Sequence, residues 1–403
     1  MTSPASNSPR HRLVAWVGAS TVASLALVSC ASAGDKQLAS STSQVAPSSS
    51  AAPTTSQAPA TSSAEPTSSI PAPPPAPPQR PVREDIATLM MVGVSNYDDA
   101  RQALAAGVGG LFIGSWTDPA LITEPGRNIQ ALRQEFPRPF NVAIDAEGGR
   151  VVRQSGLFGA VPAPRVMAQT MTPEQVQATG FELGSKLFAA GINVDFAPVL
   201  DVDSGPADGA IGDRSFSGDP TTAATFATAF GRGLLDAGVT PVFKHFPGHG
   251  RASGDSHYAE VVTPPIQSLK DLDLAPYAQA LSLPGAAVMV GHMIVPDYGD
   301  PALPSTLDPA IYQLLRSGDY PGGVPFGGVV YTDDLSGMKA ISDLMGPAQA
   351  AEAAIAAGAD VALWITTAHL NQAIDDVEAA VADGRIPEDS IRARAAKVRG
   401  ENP

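Results

Sequence analysis

Leu234-Leu235-Asp236-Ala237-Gly238-Val239-Thr240-Pro241-Val242-Phe243-Lys244-His245-Phe246 decides the fold. The stretch Thr221–Ala237 has a helical pattern, Gly238 stands where a helix needs its C′ residue, and the apolar run that follows reads as a strand. The same succession recurs at Ala189-Ala190-Gly191-Ile192 and Ala356-Ala357-Gly358-Ala359. Working outward, strand-like runs are expected at Leu89–Val94, Gly109–Gly114, Asn141–Asp145, Asn193–Val202, Thr240–Phe246, Ala286–His292, Val329–Asp333 and Asp360–Trp364. Helical patterns at Pro173–Ala190, Thr221–Ala237 and Gly346–Gly358 fall between them.

Strand and helix alternation over such a length implies a parallel sheet, and eight repeats favour a closed α/β barrel, the (β/α)8 TIM type, over an open doubly wound sheet. Asp145, Glu147, Asp201, Lys244, His245, His292, Asp333 and Trp364 all stand at or just after the ends of their strands. In a barrel those ends share one mouth, where such proteins keep their chemistry.

The chain of 403 residues is not uniform. Residues 1–30 read as an export signal: Arg10, His11 and Arg12 precede an apolar stretch, Leu13–Ser29. It ends Leu27-Val28-Ser29-Cys30, which looks like a bacterial lipobox, with Cys30 as the lipidated first residue of the mature chain. Cys30 is the only cysteine, so no internal disulfide forms. Residues 31–83 are rich in Ser, Thr, Ala and Pro and cannot bury enough apolar surface to offset their ordering entropy, so a disordered tether is expected before a folded module at 84–403. This arrangement places the module outside the cytoplasm, held to the membrane by its lipid anchor alone on the cell-wall side. The net charge of −15 argues against nucleic acid as a partner.

The densest chemistry comes directly after the apolar run Gly238–Phe243. Lys244-His245-Phe246-Pro247-Gly248-His249-Gly250 and Asp255-Ser256-His257 lie within one glycine- and proline-bent loop. Lysine, imidazoles and a carboxylate there can grip a polar substrate and move a proton near neutral pH. At the seventh strand, Val329-Val330-Tyr331-Thr332-Asp333-Asp334 ends in two acids; neighbouring side chains face opposite ways, so at least one enters the mouth and the other caps the next turn or pairs with a base. Asp145-Ala146-Glu147-Gly148-Gly149-Arg150-Val151-Val152-Arg153 offers a carboxylate, a glycine turn and two arginines suited to vicinal hydroxyls. Arg214, in Ile211-Gly212-Asp213-Arg214-Ser215-Phe216, can reach the same mouth, and Trp116 and Trp364 can either stack on a sugar or simply pack.

These strings together resemble glycoside hydrolase family 3, in its β-N-acetylglucosaminidase (NagZ-type) branch, over about residues 85–400. The resemblance implies a retaining exo-β-N-acetylglucosaminidase acting on muropeptides, with Asp333 as nucleophile, His257 as general acid/base and Asp255 orienting it. It implies that Asp145, Arg153, Arg214, Lys244 and His245 bind the terminal N-acetylglucosamine, and that no cofactor or metal is needed. Two departures stand out. Ala146 replaces the usual polar residue between Asp145 and Glu147, which is expected to loosen one hydrogen bond near the sugar, and the second domain of some relatives is absent, so nothing is inferred from it.

Three other readings stay open on the residues alone. His245, His249, Asp255 and His257 are a possible metal set, although Pro247 and Gly248 break the helix that a His-Glu-x-x-His site needs. A phosphorylase would use the same residues with phosphate as acceptor, since a His acid/base leaves no negative charge to repel it. A non-catalytic sugar-binding lipoprotein would need the grip but not Asp333.

Overall fold

The computed structural model describes residues 80–401. The export segment with Cys30, and the tether up to Gln79, lie outside the described residues. The first helix spans Val82–Thr88, two residues ahead of the boundary expected at Glu84. The reason is ionic: Arg83 pairs with Asp375 and Glu378, and Arg392 donates to the Arg80 carbonyl, so these residues belong to the folded module.

Eight strands form one parallel sheet: β1 (Met90–Val94), β2 (Gly110–Ile113), β3 (Asn141–Ile144), β4 (Val194–Asp195), β5 (Thr240–Phe246), β6 (Ala287–Val290), β7 (Val330–Thr332) and β8 (Ala362–Trp364). Each pairs with its sequence neighbours, and β8 returns to β1 with Met90 opposite Ala362. A Tyr331–Val361 bridge joins β7 to β8 and closes the barrel. The fold is therefore the (β/α)8 barrel that the repeating pattern implies.

Local chemistry sets the helices. The helix Pro173–Ala189 starts on a capping box between Thr172 and Gln175 with Pro173 in its first turn, and Pro220–Asp236 starts on Asp219, whose side chain accepts the Thr222 N–H. Both end before a glycine, Gly191 or Gly238, with φ of 86°, a left-handed turn that side chains disfavour. The strand expected over Asn193–Val202 is shorter than read. After Val194–Asp195 only a Val199–Lys244 bridge continues the pairing, because Pro198 has no N–H to give the ladder.

The barrel interior is filled by Met91, Phe112, Ala143, Val194, Phe196, Val242, Met289, Tyr331 and Leu363. A second apolar layer, including Met90, Leu111, Val142, Phe243, Val288 and Val330, packs the outer strand faces against the helices. This alternation is the period-two rule of strands, applied eight times. It makes the strand ends a rigid rim. No helix among the described residues is long and apolar enough to cross a membrane.

Candidate active site

Two cavities, of about 230 and 430 Å³, open at the C-terminal end of the barrel. Both are lined by Asp145, Arg153, His257 and Asp333, so these four groups mark their seam. The smaller has an apolar wall that includes Phe112, Trp116, Phe196 and Met289; the larger is charged, with Glu147, Arg150, Arg214, Lys244 and His245. A cavity of about 690 Å³ lies at the opposite end of the barrel, but no carboxylate or imidazole lines it, so it offers neither nucleophile nor proton donor of that kind.

The charged side is built from buried ion pairs. Arg214 forks onto Glu147, with Nε to Oε2 at 2.7 Å and Nη2 to Oε1 at 2.8 Å. Lys244 Nζ lies 2.7 Å from Glu147 and 2.8 Å from Asp145. Burial alone would raise the Glu147 pKa, but Arg214 and Lys244 outweigh it and hold the carboxylate well below its usual range. Lys244 is likewise opposed by burial and held above its usual value by Asp145 and Glu147. Glu147 is fully enclosed and ionised, so it cannot serve as the proton donor.

The arginines divide differently from the sequence reading. Arg150 does not face a ligand with its fork; it donates to the carbonyls of Ala207, Gly209, Ala210 and Ile211 and fixes the long loop after β4. Arg214 reaches the mouth, but its bidentate face is committed to Glu147. Among the described residues Arg153 makes no such carbonyl bonds; its Nε lies 3.5 Å from Asp145, and it stands on the seam. Trp364 is packed, not stacked in the mouth: it is buried and donates to the Ala368 carbonyl. Trp116 is 44% exposed and lines the smaller cavity.

At the end of β7 the two acids separate. Asp334 accepts from Ser336 N–H, Ser336 Oγ and Gly337 N–H, and so caps its own turn. Asp333 accepts the Asp334 N–H and lies 3.9 Å from His245 Nε2. Burial pushes Asp333 up, but His245, His292 and Lys244 face it and hold it well below the usual carboxylate range. Asp333 is thus ionised, and it lines both cavities.

Several supporting groups carried no role on the sequence alone. Asp201 takes His245 Nδ1 at 2.6 Å on one oxygen and the His249 N–H at 2.7 Å on the other. His292 Nε2 sits 2.8 Å from the Asp334 carbonyl, so that nitrogen must donate, and it braces the backbone behind Asp333. Asp195 accepts the Ala146 N–H at 2.9 Å, which fixes the backbone between Asp145 and Glu147; Ala146 itself is buried, with no polar side chain to offer. The only sequence signal for Asp195 is an acid inside an apolar run, Val194-Asp195-Phe196.

Asp255 and His257 sit apart, on an exposed loop. Asp255 Oδ1 accepts both the His257 N–H at 3.0 Å and its Nδ1–H at 2.7 Å, which leaves Nε2 free. The backbone and side-chain bonds from His257 outweigh partial burial and hold the Asp255 pKa below its usual value. The histidines of the metal reading do not converge: His245, His249 and His257 each spend a ring nitrogen on a different partner, Asp201, Ser256 and Asp255. No cluster of three or more His, Cys, Asp or Glu side chains able to hold a metal ion occurs among the described residues.

Comparison with known proteins agrees with this architecture. Residues 81–400 match the glycosyl hydrolase family 3 N terminal domain. The chain is 43% identical over 327 residues to the β-hexosaminidase LpqI of Mycobacterium tuberculosis, covering 80% of this chain and 83% of that protein. The crystal structure of a family 3 glycosyl hydrolase from Mycobacterium smegmatis superposes with a TM-score of 0.78 at 46% identity, over 80% of this chain and 98% of that one. A family 3 β-N-acetylglucosaminidase from Paenibacillus superposes with a TM-score of 0.73 at 33% identity, over 80% of this chain and 62% of that one. With barrel, rim and sequence all in agreement, the chain belongs to glycoside hydrolase family 3.

Proposed function

We propose that this family 3 enzyme is a retaining exo-β-N-acetylglucosaminidase that removes terminal β-linked N-acetylglucosamine from peptidoglycan fragments during cell-wall turnover. The names of its relatives, β-hexosaminidase and β-N-acetylglucosaminidase, support the sugar. One observation carries the chemistry: the ionised Asp333 and the free Nε2 of the Asp255-held His257 line the same two adjoining cavities.

In this reading Asp333 attacks the anomeric carbon while His257 gives its proton to the departing oxygen, and a glycosyl ester forms on Asp333. His257, now neutral, takes a proton from water, which attacks the ester carbon and releases the sugar with its configuration retained. Asp255 keeps the imidazole in the tautomer that exposes Nε2 and stabilises its charged form, as a carboxylate does in a Ser-His-Asp triad. Asp145, Arg153, Arg214, Lys244 and His245 present donors and acceptors to the sugar hydroxyls. The wall of Phe112, Trp116, Phe196 and Met289 suits an acetamido methyl and the flat C–H face of a hexosamine. We further propose that Cys30 is lipidated and holds the enzyme to the membrane on the cell-wall side, so Cys30→Ala should release an active soluble protein.

The test is leaving-group dependence. His257→Ala should lose about 10²–10⁴-fold with poor leaving groups and much less with activated aryl β-N-acetylglucosaminides. Azide should partly rescue it and yield a β-glycosyl azide. An equal loss for all leaving groups, with no azide product, would mean that His257 only binds sugar. Product analysis with and without phosphate separates hydrolysis from phosphorolysis: an N-acetylglucosamine 1-phosphate product would replace water with phosphate as the acceptor.

A further inference from the structure

Two residues of the long motif have no part in that scheme, His249 and Ser256. The loop that carries Asp255 and His257 is closed at its neck by Ser253 and Val262, whose backbones and the Ser253 hydroxyl exchange hydrogen bonds of 2.9 and 3.0 Å. Beyond the neck the dyad is open to solvent, with the His257 side chain 58% exposed. Ser256, between the half-buried Asp255 and the exposed His257, is buried. Its hydroxyl shares a 3.2 Å hydrogen bond with His249 Nε2, and its carbonyl accepts the Ala340 N–H, also at 3.2 Å. His249 is buried as well, its N–H held by the same Asp201 carboxylate that orients His245. Asp333, His245, Asp201, His249 and Ser256 therefore form one chain of contacts from the barrel rim to the loop.

We propose that His249 and Ser256 form a clasp that holds the Asp255–His257 loop in register over Asp333, and that both are positioning residues for proton transfer. The physical need is plain. The exposed stretch containing Gly254 gains conformational freedom once the buried Ser256 side chain beside the dyad is released, and a proton donor displaced by about 1 Å can lose on the order of 10²-fold in rate. Burial and the neighbouring His245 lower the His249 pKa, so its ring is neutral and adds no charge to the rim. The inference rests on reading His257 as the acid/base.

The experiment is a double-mutant cycle on the full chain, with poor and activated β-N-acetylglucosaminides as substrates. Ser256→Ala and His249→Ala should each lower kcat for the poor leaving group by about 10- to 100-fold, with a smaller loss on the activated one. Inhibition by free N-acetylglucosamine should be unchanged, because the sugar grip lies on the barrel rim. His249→Gln, whose amide can reach the same hydroxyl, should recover part of the loss. In a His257→Ala background, Ser256→Ala should cost nothing further, since the clasp acts only through that imidazole. If Ser256→Ala multiplies the loss fully in that background, or weakens N-acetylglucosamine binding, the clasp is overturned while the acid/base reading stands. If His257→Ala itself loses equally with all leaving groups, the acid/base reading falls and the clasp falls with it.

Discussion

The rim and the loop solve opposite problems. On the rim, Glu147, Lys244 and His245 are buried, ionic or hydrogen-bonded, and Asp333 is held among them. On the loop, Asp255 and His257 pair with each other in near-contact with water. The rim groups must be charged and aimed before a sugar arrives, and a preorganised low-dielectric site makes such charges worth most. The acid/base must give a proton to the departing oxygen and recover one from the attacking water, so it has to stand where the leaving group and water can reach it. Catalysis thus draws rigidity from the barrel and proton access from the loop.

The comparison is broken most severely at Asp333. Asp333→Ala should reduce turnover on the order of 10⁴-fold or more while the circular dichroism spectrum and sugar binding persist. A fluorinated N-acetylhexosaminyl probe should label Asp333. Asp334→Ala should cost far less, since its carboxylate is spent on the turn at Ser336 and Gly337. A dead Asp334→Ala enzyme, or a probe bonded elsewhere, would overturn the nucleophile assignment.

Glu147 and Asp255 contrast the two regions directly. Glu147→Ala would leave Arg214 and Lys244 facing each other without their shared buried partner, and removing one member of such a cluster costs about 3–5 kcal/mol. That loss should show in urea melts of the full chain. Asp255→Ala breaks a half-exposed pair and should change stability by less than about 1 kcal/mol. Its effect should fall on poor leaving groups, in milder form than His257→Ala. A stable Glu147→Ala protein that fails only with poor leaving groups would move the acid/base role to Glu147.

The two regions were unequally legible. Helix ends at Ala190-Gly191 and Ala237-Gly238, and the apolar strands after them, follow local rules, so the barrel could be read from spacing. The motif residues at the strand ends also converge on one mouth. What spacing cannot show is how a charged side chain is spent. Arg150 and Arg153 look equivalent in sequence, yet one is bound to four loop carbonyls and the other faces the cavity seam, because the loop 203–217 folds back over only one of them. Trp364 reads as a rim aromatic but is the buried end of β8. Asp201 and Asp195 act through partners 44 and 49 residues away, which no local pattern reveals.

An effect on stability alone sharpens what kind of rim this is. Asp195 is completely buried, with one oxygen on the Ala146 N–H and the other without a hydrogen-bond partner. Burial, reinforced by Asp145 and Glu147 and opposed by the Ala146 N–H and Lys244, pushes its pKa up to about 8. The folded chain therefore keeps this proton across a range where the unfolded chain, titrating near 3.8, has lost it. The native state binds more protons between those values, so this group's contribution to stability is complete below the unfolded pKa and is lost as pH rises towards about 8. Asn is a neutral copy of the protonated acid. Asp195→Asn should match the natural protein near pH 4 and exceed it by about 1–2 kcal/mol at pH 8, a fraction of the roughly 6 kcal/mol that a shift of about four pKa units would give in a rigid site. Thermal melts at the two pH values measure the difference. If Asp195→Asn is instead the less stable protein at pH 8, Asp195 is an ionised partner of Lys244, and the rim carries one more negative charge than its geometry implies.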